Sequence, residues 1–256
     1  MCLALIAWRA HPRHPLVVVA NRDEFHARPA LPMHWWDDGA PILAGRDLEA
    51  GGTWLGLDRR GRLALVTNYR DPSLPKPEGR TRGELVPAFL RSPAAAADQA
   101  RGFSARAAQY AGFSLLLADG RELAYVVSQP AAETRVLAPG IYGLSNRRLD
   151  DPWPKLIATR AAFERELAAA EPDASRLAAI VSDRRIAPDS ALPDTGVGLE
   201  WERRLSAAFI VSPEYGTRCT TVVAVDGGGG VRVLERSHGP DGGVTGRLRF
   251  AFAAGA

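Results

Sequence analysis

The apolar residues of this chain fall into blocks of strands and blocks of helices, and that segregation limits the folds open to it. Leu3 to Trp8 and Leu16 to Asn21 predict an opening hairpin, broken by the prolines within Arg9 to Pro15. A long loop is expected from Arg22 to about Pro41. A second hairpin follows, Thr53 to Leu57 with Arg62 to Asn68, turning at Arg59-Arg60-Gly61. After a proline-rich surface loop, Pro72 to Gly79, helical patterns cover Arg82 to Leu90 and Ala95 to Tyr110. Strands are predicted at Phe113 to Ala118, Glu122 to Ser128 and Thr134 to Leu137, then a strand-to-loop passage at Ile141 to Asn146. Helices return from Trp153 to about Ala169, over Ala174 to Ser182 and over Glu200 to Phe209. Arg218 to Val225, Val231 to Glu235 and Arg247 to Phe252 close the chain as strands. Parallel sheets need strands and helices to alternate. The blocks here predict an α+β protein with antiparallel sheets and helices packed outside them. With no repeat and no linker, residues 1–256 read as a single domain.

Composition removes several function classes. Of 256 residues, 46% are hydrophobic and 24% charged, which is ordinary for a soluble globular protein. The net charge of +3 rests almost wholly on arginine, Lys76 and Lys155 being the only lysines. No long basic run or basic helix face interleaved with aromatics occurs, so no nucleic-acid partner is expected. No apolar run reaches spanning length, so no membrane insertion is expected. Two cysteines cannot form a disulfide framework, and no charged region precedes an apolar stretch at the start. A cytoplasmic location is the expectation.

The chemistry gathers at the beginning. Cys2 follows Met1 directly, and cysteine is small enough for Met1 to be trimmed. Cys2 then carries both a thiol and a free α-amine, which titrates near pH ~8 and can accept the thiol proton. A cysteine in an apolar strand is also a common small core residue, so a base and an orienting group must be found. Asn21-Arg22-Asp23-Glu24 ends the second predicted strand, either as turn chemistry or as orienting groups. An antiparallel hairpin sets that end beside Cys2. His11, His14, His26 and His34 crowd the first 34 residues and suggest metal or haem ligation, but no carboxylate or thiolate at zinc spacing accompanies them, and no metal is assigned. Gly227 to Gly230 is a hairpin tip and not a phosphate loop.

Read together, Met1-Cys2, Asn21-Arg22-Asp23-Glu24, Gly51-Gly52-Thr53-Trp54-Leu55-Gly56 and Thr67-Asn68-Tyr69-Arg70 resemble the NRDE family, the transport and Golgi organisation protein family. Gly143-Leu144-Ser145-Asn146 ahead of Pro152-Trp153-Pro154-Lys155, and Gly216-Thr217-Arg218-Cys219-Thr220-Thr221, complete the resemblance across most of the chain. The family is similar in turn to the cysteine-type N-terminal nucleophile hydrolases that include bile salt hydrolase and penicillin V acylase. The resemblance implies a four-layer αββα sandwich. It implies Cys2 as nucleophile, its freed amine as base, and Arg22 and Asp23 beside it, adjacent here where the acylases separate them. Asn68 and Asn146 correspond to the amides that bind the oxyanion and the substrate amine, and Arg218 to the arginine near the thiolate. Asn68 and Asn146 also read as strand-ending residues.

Two functions follow. One is hydrolysis of a linear amide or related acyl compound by the freed Cys2, with no cofactor required. The other, implied by the resemblance, is a non-catalytic carrier of haem or of acyl-coenzyme A and lipid on the same fold. Arginines at 22 and 218 are expected to lower the Cys2 thiol pKa. Strand alternation is expected to turn Cys219 away from Arg218 into the core.

Overall fold

The computed structural model describes residues 2–39, 41–74 and 80–255. Among these, β1 (Cys2–Trp8), β2 (Leu16–Phe25), β10 (Gly140–Leu144), β11 (Tyr215–Val225), β12 (Gly230–His238) and β13 (Val244–Ala253) form one antiparallel sheet in the order β10-β1-β2-β11-β12-β13. The second sheet is a meander in chain order: β3 (Ala30–Trp35), β4 (Ile42–Asp47), β5 (Leu55–Asp58), β6 (Leu63–Asn68), β7 (Phe113–Ala118), β8 (Leu123–Val127) and β9 (Glu133–Val136). Helices α1 (Leu85–Arg91) and α2 (Ala96–Ser104) cover the outer face of the second sheet, α3 (Pro154–Leu167) and α4 (Ala174–Ile180) that of the first. A short α5 (Leu199–Leu205) precedes β11.

The alternation of side chains assigns each strand residue to a layer. Ala4, Ile6 and Trp8 of β1 and Leu16, Val18 and Ala20 of β2 face the opposite sheet, where they meet Leu55, Leu57, Leu65 and Leu116. The intervening Leu3, Leu5, Val17 and Val19 face α3 and α4, against Leu156, Phe163 and Leu177. Both faces are covered, which is why these strands read as unbroken apolar runs. Each fully buried leucine is worth roughly 2 kcal/mol of transfer free energy, so the register of β1 and β2 is strongly fixed. By the same parity, Cys2 and Arg22 lie on the inter-sheet face while Asn21 and Asp23 face the helices.

The structure extends the sequence reading at two places. The expected loop from Arg22 to Pro41 contains β3, and β4 follows it. Pro32 is tolerated because β3 is an edge strand whose register shifts between Leu31 and His34. β2 runs past Asn21 through the whole of Asn21-Arg22-Asp23-Glu24 to Phe25, because β1 and β11 pair with it on either side. Of the expected loop Pro72 to Gly79, residues 75–79 lie outside the described residues.

Candidate active site

Cross-strand pairing builds one wall of the site. Cys2 is opposite Arg22, Arg22 is opposite Cys219 on its other side, and Cys219 is opposite Ser237. These four residues form a row across β1, β2, β11 and β12, and all line a cavity of about 370 Å³ between the ends of the two sheets. The register of β11 shifts between Thr217, opposite Asp23, and Cys219, opposite Arg22. Arg218 is thus an extra residue in the strand, and a bulge of this kind re-aims side chains. That corrects the expectation for Cys219, which shares the cavity with Arg218 instead of turning away from it.

The other wall comes from the loops that leave β6 and β10. Asn68, the last residue of β6, lines the cavity. Asn146 follows β10 with φ of 56° and is fully buried. A left-handed backbone is costly for most residues and best tolerated by Gly and Asn, so its presence here is strain held by the surroundings. The Cys2 backbone N–H donates to Asn146 Oδ1 at 3.2 Å, and Ser145 Oγ donates to the Cys2 carbonyl at 3.2 Å. Asn146 Nδ2 reaches the Asn68 carbonyl at 3.5 Å, and the Arg70 N–H donates to the Asn146 carbonyl at 2.7 Å. The structure therefore brings Cys2, Arg22, Asp23, Asn68, Asn146 and Arg218 to one end of the two sheets.

Their environments differ. Arg22 contacts Asp47 at 3.4 Å, and Arg28 takes the same carboxylate at 2.6 Å. Asp23 is buried on the helix side, where Thr217 Oγ1 donates to it at 2.7 Å and Tyr215 Oη donates to its carbonyl. Burial pushes the Asp23 carboxyl up, opposed by Lys155 and by the Thr217 hydrogen bond. Lys155 is itself pulled down to about 8 by burial, with Asp23 opposing; its Nζ donates to the Leu205 carbonyl at 2.8 Å. Asn21 is structural: its Nδ2 donates to the carbonyls of Val181 and Ala208 and so ties β2 to the α4–α5 layer.

The thiol behaves differently from the sequence expectation. Burial raises the Cys2 pKa, and Arg22 and the Asp23 backbone N–H offset that only in part. Cys219 is driven well above the usual range by burial, with Glu235 adding to it. Among the described residues Arg218 makes no hydrogen bond to Cys2. Its Nη1 donates to the carbonyls of Phe25 and Arg28, and its electrostatic neighbours are Arg22, Cys219 and Glu24.

Arg82 and Lys155 are the residues that sequence reasoning missed. Arg82 opens a 3-10 turn (Arg82–Glu84), lines the cavity and interacts electrostatically with Cys2. Gly52 is what lets that turn in: a Cβ there would stand 2.4 Å from the Gly83 carbonyl group, and Thr53 N–H donates to that carbonyl at 3.0 Å. The double glycine at 51 and 52 is thus a close-approach device as well as a turn. The signals available were a basic triplet Arg80-Thr81-Arg82 and a lysine in a chain with only two.

The early histidines do not converge. His11 meets the Ala169 carbonyl, His14 the Glu171 carboxylate, His26 the Ser212 carbonyl and His34 the Pro32 carbonyl. Among the described residues no group of three or more His, Cys, Asp or Glu is placed to hold a metal ion, and no helix is long and apolar enough to cross a membrane.

Comparison with known proteins gives consistent results. The family model described as TANGO2, Transport and Golgi organisation 2, matches residues 1–240. The "Transport and Golgi organization protein 2 homolog" of Bos taurus is 38% identical over 259 residues, covering 93% of each chain. That of Homo sapiens is 36% identical over 258 residues with the same coverage. Among solved structures, the mutant C2A conjugated bile acid hydrolase from Clostridium perfringens superposes with a TM-score of 0.53 at 6% identity, over 99% of this chain and 92% of that one. The two antiparallel sheets flanked by helices are thus an N-terminal nucleophile hydrolase-like fold.

Proposed function

Since the chain belongs to the transport and Golgi organisation 2 family, we propose that on this fold it works as an N-terminal-cysteine amidohydrolase acting on a linear amide or related acyl compound. The observation that carries the reading is the Cys2 nitrogen held by Asn146 Oδ1 at 3.2 Å while the same residue lines the cavity. In the full chain that nitrogen is an amide bonded to Met1. Removal of Met1 turns it into an amine with a lone pair, still beside Asn146, and close to its own thiol. Met1 itself lies outside the described residues.

The reaction then has a role for each group. The amine takes the thiol proton, which matters because burial holds the Cys2 thiol up and leaves little thiolate at neutral pH. Sulfur attacks the amide carbon, and the oxyanion is met by the Asn68 side-chain amide at the cavity wall. The ammonium returns its proton to the leaving nitrogen as the C–N bond breaks, leaving a thioester on Cys2. Water, deprotonated by the amine, adds to the thioester carbon and releases the acid, and the sulfur regains its proton. Arg22, directly opposite Cys2, stabilises negative charge on sulfur. Behind β2, Asp23 and Lys155 are both buried and each offsets part of the other's burial cost.

The test combines an intact-mass measurement, to establish Met1 removal, with a panel of amides. Cys2→Ala is expected to abolish hydrolysis, and Cys2→Ser to slow it strongly. Undiminished hydrolysis in Cys2→Ala overturns the reading. So does protein that has lost Met1, hydrolyses nothing, and binds haem or acyl-coenzyme A tightly; that result establishes the carrier.

A further inference from the structure

The carboxylates that line the cavity are already engaged. Asp47 takes Arg22 and Arg28, Glu235 accepts the Met33 N–H at 2.7 Å, Glu24 accepts the Phe25 N–H at 2.9 Å, and Asp23 accepts the Thr217 hydroxyl. Two arginines of the lining are likewise held by backbone groups alone. Among the described residues Arg82 and Arg218 have no carboxylate partner, and their hydrogen bonds go to backbone carbonyls: Arg82 to Gly112 at 3.0 Å, Arg218 to Phe25 and Arg28. A guanidinium carries five N–H donors in a fork suited to carboxylate and phosphate, and one or two carbonyls leave most of that capacity unused.

We propose that this cavity binds its ligand through an anionic group, a carboxylate or a phosphate, taken up by Arg82 with Arg218 adding charge from the β11 wall. The substrate at Cys2 is then a negatively charged amide or acyl compound, a step that rests on the hydrolase reading; the anion site itself does not. Three further observations support it. Burial pulls the Arg82 pKa down, with Cys2 and Glu24 opposing, so the guanidinium is partly desolvated without a dedicated counter-charge. Five arginines line the cavity, and burial raises the pKa of two of its carboxyls, Asp23 and Glu235. The Gly52–Gly83 contact fixes the turn that carries Arg82, so the charge is placed before a ligand arrives. A volume of about 370 Å³ lies near the small end of ligand pockets, which span roughly 300–1,000 Å³, and favours a compact ligand.

The test uses Cys2 as a reporter and needs neither Met1 removal nor turnover. Iodoacetate and iodoacetamide deliver the same carbon to sulfur, with iodide leaving, but only iodoacetate carries a carboxylate. The ratio of their alkylation rates at Cys2 is followed by peptide mass, so that Cys219 is scored separately. Arg82→Gln is expected to lower the iodoacetate-to-iodoacetamide ratio roughly tenfold, the worth of one hydrogen-bonded charge. Arg82→Lys, which keeps the charge, is expected to retain most of the preference and covers the case in which Arg82→Gln does not fold. Inorganic phosphate and acetate are then added separately as protectants. Protection by phosphate alone identifies a phosphate ester ligand, and protection by both a carboxylate site. An unchanged ratio in the Arg82 variants, or no protection by either anion, overturns the proposal. An intact preference in a protein that hydrolyses no amide leaves the anion site standing and removes only the hydrolase.

Discussion

Asn68 and Arg70 are two residues apart in one motif, yet Asn68 lines the cavity while Arg70 is sealed in a different cluster. Arg70 pairs with Glu202 at 2.8 Å, both side chains at most 5% exposed, and its guanidinium lies 4.5 Å from the centre of the Trp153 ring. Glu202 also accepts the Thr195 N–H at 2.8 Å, and Lys155 caps the neighbouring Leu205 carbonyl. The space left among Arg70, Trp153, Lys155 and Glu202 is about 10 Å³, at or below what is needed to hold one water. Around Cys2 the same residue types enclose about 370 Å³, and two arginines have no carboxylate partner among the described residues. Burial of charge is common to both regions. What separates Arg70 from Arg82 and Arg218 is whether the guanidinium meets a carboxylate inside the protein, and that is the difference between a structural cluster and a site that waits for a ligand.

The largest effect expected from this contrast lies in the sealed cluster. Glu202→Gln leaves Arg70 buried without its counter-charge, and breaking a buried pair on one side costs about 3–5 kcal/mol. Arg82→Gln removes a guanidinium bound to one carbonyl and is expected to cost about 1 kcal/mol. Urea unfolding of the two variants measures the gap. Equal losses would mean that the cavity arginine is as structural as Arg70.

Next in size is the effect at Asn146, which touches both regions through the Arg70 N–H and the Cys2 N–H. Asn146→Gly keeps the left-handed backbone at no steric cost and deletes only the amide. Stability is expected to change by no more than about 1 kcal/mol, because relief of backbone strain offsets the lost hydrogen bond. Amide hydrolysis by Met1-free protein is expected to fall about a hundredfold, the scale of losing one preorganised polar group at an acyl-transfer centre. A stability loss as large as that of Glu202→Gln, with kcat unchanged, would assign Asn146 to the structural cluster.

The sequence revealed these regions unequally, for physical reasons. Apolar runs flanked by prolines and glycines mark β1, β2 and β5 to β8, since strands buried on both faces leave a dense local signal. Hairpin geometry alone set the polar end of the second strand beside Cys2; the exact partner, Arg22, comes from β2 running on past Asn21. β3 was hidden by Pro32 and by a register shift that breaks its period. The direction of Cys219 was hidden by the bulge at Arg218, because an extra residue inverts alternation without leaving a local mark. Arg82 reaches the cavity through a contact between Gly52 and Gly83, 31 positions apart, which no local pattern encodes. The thiol pKa was misjudged because neighbouring arginines are visible in a sequence and desolvation is not.

The smallest effect sharpens the comparison at its boundary, where His238 lines the cavity but is bonded as if it belonged to the sealed interior. Thr220 Oγ1 donates to Asn21 Oδ1 at 2.7 Å and so can only accept from His238 Nε2, 3.1 Å away. The imidazole therefore carries its proton on Nε2, and Nδ1, buried with no hydrogen-bond partner among the described residues, must take the second proton. Burial, with Arg236 and Arg184 nearby, pulls the His238 pKa down from 6.5 to about 4. The folded chain thus binds fewer protons than the unfolded chain between these values, and stability is lost as pH falls through that window. By pH ~5 the loss from this one group is about 2 kcal/mol relative to neutrality. His238→Gln retains an amide donor towards Thr220 and has nothing to titrate, so its unfolding free energy should fall by about 2 kcal/mol less than that of the parent between pH ~7 and ~5. Parallel profiles would show that the cavity wall at His238 accepts positive charge despite its burial and the nearby Arg236 and Arg184.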